Sequence, residues 1–171
     1  MMGSLYEATR DLHHACEAHP VGQRMFRGEV TREEWSAWLS AFLVLHRAID
    51  PALPHHMHRD GMLRADLSVL PMAPLSKAAT RFAVNLRDTD TTGAAYVLHG
   101  AHRSGGRVLA PKLVKRGLPC GHVCYSDPEA VQAWIETARA RDEARDQARA
   151  TFDCLLAVMD EIAAEPEGKA E

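Results

Sequence analysis

The first helix-forming stretch of the chain carries a cation, an imidazole and a carboxylate at helical spacing. Arg10, His13 and Glu17 are three and four residues apart, so in a helix their side chains line one stripe. A histidine that binds a metal needs an acceptor on its second ring nitrogen, and Glu17 is placed to provide it for His13. His14 points about 100° away and meets only Ala18 one turn later. His13 is therefore the better ligand candidate, the alternative being that both histidines make ordinary hydrogen bonds.

A second unusual stretch lies past the middle of the chain. It runs from about Gly93 to Val114, is predicted to be helical, and yet contains Gly100, Gly105 and Gly106. Each glycine inside a helix costs roughly 0.5–1 kcal/mol relative to alanine. Bare backbone lets a ligand approach closely. A flat cofactor held between the two helices, its iron bound by imidazole on one side and facing bare backbone on the other, explains both features.

Two other motifs that contain metal-ligand residue types are weaker. The run His55-His-Met-His58 lies between prolines, where histidines are more often solvated than bound to metal. Cys120 and Cys124 have three residues between them, whereas zinc ribbons and redox motifs usually have two. A loop with two spare thiols is favoured over a structural zinc site.

Composition restricts the class of protein. The chain has 171 residues, a formal net charge of -3 and ten histidines. That length predicts a single domain, for which we expect bounds of 1–164 and a flexible polar tail at 165–171. No apolar run approaches the roughly 20 residues that cross a bilayer, and the charge balance argues against nucleic acid as the main partner. We expect a cytoplasmic protein without a membrane or nucleic-acid partner.

Helical periodicity dominates the sequence, which predicts an all-α fold. The first helix is expected from Leu5 to His19, where Pro20 stops it. Thr31 and Glu34 form a capping box that opens a helix with one apolar face, made by Trp35, Trp38, Leu39, Phe42, Leu45 and Ile49. Further helical segments are expected at about 62–70, 75–86, 93–114, 129–140 and 141–164. The charged run 139–149 is interpreted as a solvated helix face.

These motifs resemble, in chain order, those of the biliverdin-producing heme oxygenases, and in detail the bacterial branch of that family. The matching segments span most of the chain. They are Glu7-Ala-Thr-Arg-Asp-Leu-His13, Arg27-Gly-Glu-Val-Thr-Arg-Glu-Glu-Trp35, Arg64-Ala-Asp-Leu-Ser-Val-Leu70, Gly93-Ala-Ala-Tyr-Val-Leu-His-Gly100, Gly105-Gly-Arg-Val-Leu109 and Ala150-Thr-Phe152. The resemblance implies a heme oxygenase-like helical domain.

The resemblance also implies roles for individual residues. His13 would be the iron ligand, with Glu17 holding its second nitrogen, while Arg10 and Tyr96 would contact heme propionates and Phe152 would line the heme edge. The distal candidates are Gly100, Ser104 and Gly105 as catalytic positions and Gly106 as a heme contact.

The implied reaction consumes heme, dioxygen and electrons and releases biliverdin, carbon monoxide and ferrous iron, so heme is both cofactor and substrate. No flavin or nicotinamide motif is visible in the sequence, and a ferredoxin or reductase is therefore the expected electron donor. The pigment would serve a photoreceptor that uses bilins, or the iron would serve nutrition. The sequence leaves both open.

The glycine-rich segment departs from the family pattern. Four residues separate Gly100 from Gly105, where the family has three. Either a π-type bulge absorbs the additional residue, or Ala101 replaces the first glycine. His102 is interpreted as a surface residue, the alternative being a second axial ligand that would make the protein a heme carrier or sensor. A further alternative is a member of the same helical superfamily that uses a small molecule or a di-metal centre without heme.

Overall fold

The structure is a computed structural model that describes residues 4–164, so the tail predicted at 165–171 lies outside the described residues. Within that range the chain is helical and contains no strand, as predicted. No helix of this part is both long and apolar enough to span a bilayer. The helices are α1 (Ser4–Ala18), α2 (Pro20–Arg27), α3 (Arg32–Ile49), α4 (Asp60–Leu67), α5 (Lys77–Asn85), α6 (Thr92–Gly100), α7 (Gly106–Lys115), α8 (Pro128–Arg139) and α9 (Arg145–Ala164).

The proline after α1 begins a helix that the sequence analysis did not predict. Pro20 occupies the first position of α2, where its missing N–H costs nothing, and the Nδ1 atom of His19 accepts a hydrogen bond from the Val21 N–H at 3.1 Å. Gly28 ends α2 in the left-handed region, with φ of 72°. The backbone thus turns twice within a short stretch, and α2 folds back beside α1.

Helix α3 confirms both features that were predicted for it. The Thr31 hydroxyl accepts from the Glu34 N–H at 3.1 Å, and the Glu34 carboxylate accepts from the Thr31 N–H at 2.9 Å. All six residues of the predicted apolar face are buried. Full burial of one leucine or isoleucine side chain stabilises the fold by about 1.5–3 kcal/mol, so this face anchors the core. Its continuation is broken by two 3₁₀ turns, Asp50–Ala52 and His55–Met57.

Helix α9 lies at the centre of the packing, against α1, α2, α3, α5 and α6. Helix α6 continues into α7, α7 packs on α2, and α2 follows α1 directly. The helices α1, α9, α6, α7 and α2 therefore form a closed ring of neighbours. This arrangement brings the first helix and the glycine-rich segment into one assembly although they are far apart in sequence.

One residue of the charged run 139–149 forms hydrogen bonds to another helix, so the run is not only a solvent-exposed face. Arg149 of α9 donates to both carboxylate oxygens of Asp11 on α1, at 2.9 and 3.0 Å, and also to the Ala8 carbonyl. Because Arg149 bonds Asp11, the pKa of that carboxyl is lowered. The prediction that this run is only a solvated face is wrong at Arg149, which connects α1 to α9.

Candidate functional site

His13 lies on the solvent-accessible side of α1, with 57% of its side chain exposed. Its Nδ1 atom is 3.6 Å from the Glu17 carboxylate, on the stripe that the spacing predicted. The ring meets the Phe152 ring of α9 edge to face, with centroids 6.0 Å apart. The structure thus brings His13, Glu17 and Phe152 together and leaves the Nε2 side of the imidazole as the position for a ligand bond.

The three glycines of the second stretch have different surroundings. A Cβ atom added at Gly100 or Gly105 would meet no heavy atom within 4 Å. A Cβ atom at Gly106 would lie 2.6 Å from the Val123 Cγ1 atom. Gly106 is therefore required for packing against the loop after α7, and its role as a heme contact stays a prediction. Gly100 and Gly105 present bare backbone to open space.

The additional residue in this segment is absorbed by a π-helix at Ala101–Gly105, the first of the two predicted outcomes. The Gly106 N–H bonds the Ala101 carbonyl, five residues back. A turn closed by an i to i+5 bond places residues five apart one above the other, as an α-helix does for residues four apart. Gly100 and Gly105 consequently share one face of this segment, which we call the glycine face. The helix that follows, α7, keeps its orientation.

The remaining predicted residues are placed as follows. Ser104 is exposed on the π-helix. Arg10 lies at a shallow surface groove with Asp11 and Arg149, on the α1 side that faces α9. Tyr96 is buried on α6, and this burial raises its pKa, while the nearby Arg139 guanidinium opposes the shift.

The sequence analysis missed a cluster of four buried histidines behind the glycine face. We call it the histidine core: His46 on α3, His99 on α6, His102 on the π-helix and His122 after α7, each at most 3% exposed. The Nε2 atoms of His46 and His102 are 2.8 Å apart. The interpretation of His102 as a surface residue is therefore wrong. The signal in the sequence was the spacing of three between His99 and His102, which places both on one side of the segment.

Two buried carboxylates hold the histidine core. Asp50 contacts the Nδ1 atom of His46 at 3.0 Å, and Asp66 contacts that of His122 at 2.7 Å. Burial alone would raise the pKa of each carboxyl, but the bonds to histidine and to backbone N–H groups outweigh it, so both pKa values are lowered.

Loss of solvation has the opposite effect on the imidazoles. Burial lowers the pKa of His99 and His102 well below the ordinary 6.5, and that of His46 is also lowered. Neighbouring cationic groups, among them the Arg59 guanidinium, add to this shift. At neutral pH these rings are therefore uncharged, each with one donor nitrogen and one acceptor nitrogen.

The cysteines of the described chain are all free. Cys120 is buried and its Sγ atom approaches the Leu118 carbonyl, whereas Cys124 is exposed. The favoured interpretation, two spare thiols in a loop, agrees with this arrangement. Cys16, near His13, is half-buried, and burial raises the pKa of its thiol to about 12.

Comparison with known proteins gives a clear result for the fold only. No protein-family model matches the sequence, and no curated protein does. Among solved structures, heme oxygenase-1 from the cyanobacterium Synechocystis sp. PCC6803 in complex with heme matches with a TM-score of 0.73 and 14% identity, over 93% of this chain and 89% of that one. Heme oxygenase from Leptospira interrogans matches with a TM-score of 0.74 and 16% identity, over 94% and 97%. The α1 to α9 arrangement of this protein is therefore the heme oxygenase fold.

Proposed function

We propose that this protein is a heme oxygenase, which binds heme at α1 and the glycine face and opens it to biliverdin with release of carbon monoxide and ferrous iron. The observation that carries the proposal is the bare backbone of Gly100 and Gly105, open to space on a heme oxygenase fold. Two helix glycines with nothing packed on them destabilise the helix without allowing any closer packing. Close approach of a flat ligand explains why glycine occurs at these two positions.

The residues of α1 fit one side of such a ligand. His13 offers an unburied imidazole, and the Glu17 carboxylate lies 3.6 Å from its Nδ1 atom, on the side from which an acceptor would orient the ring. Phe152 borders the same ring and supplies an apolar edge. Arg10, one turn before His13, is a cation for a propionate, which a guanidinium binds well.

On the other side, the chain provides shape rather than charge. Gly100 and Gly105 would let the macrocycle lie close to the helix, so that the helix backbone itself would border the space above the ring. The heme itself supplies the iron and the ring on which the oxidation takes place. Ser104, exposed and directly before Gly105 in the π-helix, is the hydroxyl nearest to these glycines in sequence. Electrons come from a separate ferredoxin or reductase.

The carrier alternative depended on His102 as a second iron ligand. His102 is 3% exposed, and its Nε2 atom is directed at His46. Nothing in the described residues favours that ligand, so we retain the oxygenase.

Reconstitution tests the proposal. Purified protein titrated with heme should develop a Soret band at one heme per chain, and addition of reductant in air should replace it with the absorption of a bile pigment and release carbon monoxide. Absence of a Soret band would contradict heme binding. A stable heme complex that yields no pigment with chemical reductant would contradict the oxygenase and support the carrier.

A further inference from the structure

Two histidines of the histidine core and one of the carboxylates that hold it have the composition of a metal site. His46, Asp50 and His99 are buried, and each offers one ligand atom such that all three atoms lie within 4.8 Å of one another. Two imidazoles and one carboxylate form a donor set that suits divalent first-row ions. Surface clusters of this kind are common without an ion, but these three residues are only 0–4% exposed.

The Asp50 carboxylate is oriented by the backbone. Its Oδ2 atom accepts hydrogen bonds from the Arg59 N–H at 2.7 Å and the Asp60 N–H at 3.0 Å. Its Oδ1 atom is thereby directed at the Nδ1 atom of His46, 3.0 Å away. Carboxylates that bind metals are commonly held by such donors outside the coordination sphere.

His99 supplies an independent observation. Its Nδ1 atom contacts the Tyr125 hydroxyl at 2.7 Å, and its Nε2 atom is buried without any hydrogen-bond partner. Buried polar atoms without partners are rare and call for an explanation. One nitrogen fixed by a hydrogen bond and the other left bare is the arrangement of a metal-ligating histidine.

We propose that His46, Asp50 and His99 bind one divalent transition-metal ion, such as Zn²⁺ or Fe²⁺. The metal occupies the position of the proton between His46 and Asp50. That proton moves to the Nε2 atom of His46, which then donates to the Nε2 atom of His102 at the observed 2.8 Å, while the proton that His102 carried on Nε2 moves to its own Nδ1 atom. The two tautomer changes leave every nitrogen of His46 bonded, and they require no net loss of a proton.

The Asp50 carboxylate offsets one of the two positive charges of such an ion, and the nearest guanidinium, that of Arg59, is held by other groups. The Arg59 guanidinium lies over the Tyr125 ring, 4.0 Å from its centroid, and donates to the carbonyls of Cys124 and His122. These contacts direct the guanidinium to neutral acceptors and leave the Asp50 carboxylate to its two backbone donors and His46. The inference concerns the histidine core only, and it does not rest on the proposed heme reaction.

The test uses protein expressed in medium supplemented with Zn²⁺ or Co²⁺, so that a buried site fills during folding. After gel filtration we expect one metal per chain by elemental analysis, d–d absorption in the cobalt protein, and two imidazole ligands by X-ray absorption of the zinc protein. His99→Asn keeps a polar atom for Tyr125 but removes the Nε2 ligand, and should weaken affinity by more than about 100-fold. Tyr125→Phe should weaken it by about 10–100-fold.

A matched control separates this site from the exposed group His13, His14 and Glu17, which also offers ligands. The double variant His13→Ala/His14→Ala should retain the full metal content. Metal that disappears in this double variant and persists in His99→Asn would overturn the proposal. So would wild-type protein that retains no metal, or a zinc spectrum without imidazole scattering. The last two measurements need no variant and decide the question even if a substitution prevents folding.

Discussion

The segment from α6 through the π-helix has two sides with opposite character. On one side Gly100 and Gly105 are bare and meet nothing within 4 Å. On the other, His99 and His102 are buried and hydrogen-bonded to Tyr125 and His46. The glycines of the open side lower the stability of the helix and leave a surface free for a ligand. The histidines of the buried side determine how the segment packs. The comparison shows that a short helical stretch can be exposed for a ligand only because its opposite side is held firmly.

If the buried side holds the segment, breaking it should have the largest effect on stability. Asp66→Ala removes the acceptor of the His122 ring and of the Gly121 and His122 N–H groups. Loss of one partner from a buried pair typically costs about 3–5 kcal/mol. We expect the free energy of unfolding, measured with urea, to fall by about 3 kcal/mol. A fall below about 1 kcal/mol would show that these bonds do not stabilise the fold.

The open side should control heme instead. His13→Ala is expected to weaken heme affinity by at least about 100-fold, because loss of a mere outer partner of a metal ligand already costs about 10–100-fold. It should leave the unfolding midpoint unchanged, since the side chain is largely exposed. His14→Ala is the control and should change affinity by less than about threefold. Heme titration followed at the Soret band compares the two variants. Equal or reversed effects would show that His14 is the ligand.

Filling the bare surface tests the glycine face directly. Gly105→Leu should reduce heme affinity or turnover by about 10-fold, about 1.4 kcal/mol, because the side chain occupies the space beside the helix. Gly61→Leu is a matched control, because Gly61 is also helical with no atom within 4 Å of an added Cβ. If the Gly105→Leu variant keeps the wild-type turnover, the glycine face does not belong to the heme site.

Gly106 differs from Gly100 and Gly105 because a side chain at this position would collide with the protein itself rather than fill the space for a ligand. A Cβ atom at Gly106 overlaps Val123, so Gly106→Ala should lower the unfolding free energy by about 1–3 kcal/mol, the usual cost of overpacking. Gly106→Ala combined with Val123→Ala should recover part of that loss. Thermal unfolding of the two variants measures the recovery, and its absence would mean that Val123 is not the obstacle.

The smallest expected effect is on pH dependence. His99 and His102 have folded pKa values well below 6.5, so the unfolded chain binds more protons near pH 6 than the folded chain does. Stability therefore falls as pH decreases through the unfolded pKa, by about 0.7 kcal/mol per histidine between pH 7 and 6. Urea unfolding at the two pH values measures it. Stability that rises on acidification would contradict neutral, buried rings.

The sequence predicted those parts of the fold that depend on residues close to one another in the chain. The capping box at Thr31 and the apolar face of α3 follow from residue spacing within one element. The π-helix was one of two alternatives raised by the additional residue between Gly100 and Gly105, and the structure decided between them. Helix ends were less certain: α4 begins at Asp60 rather than near Met62, and Pro20 begins α2 instead of only ending α1. A proline signals both a helix end and a helix start, so sequence alone did not show that a second helix followed.

By itself, the sequence determined the all-helical class, the stripe of His13 and Glu17, and the unusual glycine content of the later segment. Only the tertiary structure decided which glycines are open and which pack, because that depends on Val123 from a distant loop. It alone assembled the histidine core as well, since His46, His99 and His122 belong to different elements. Their burial and mutual bonds arise from the packing of α3, α6 and the loop after α7, which no spacing within one helix encodes.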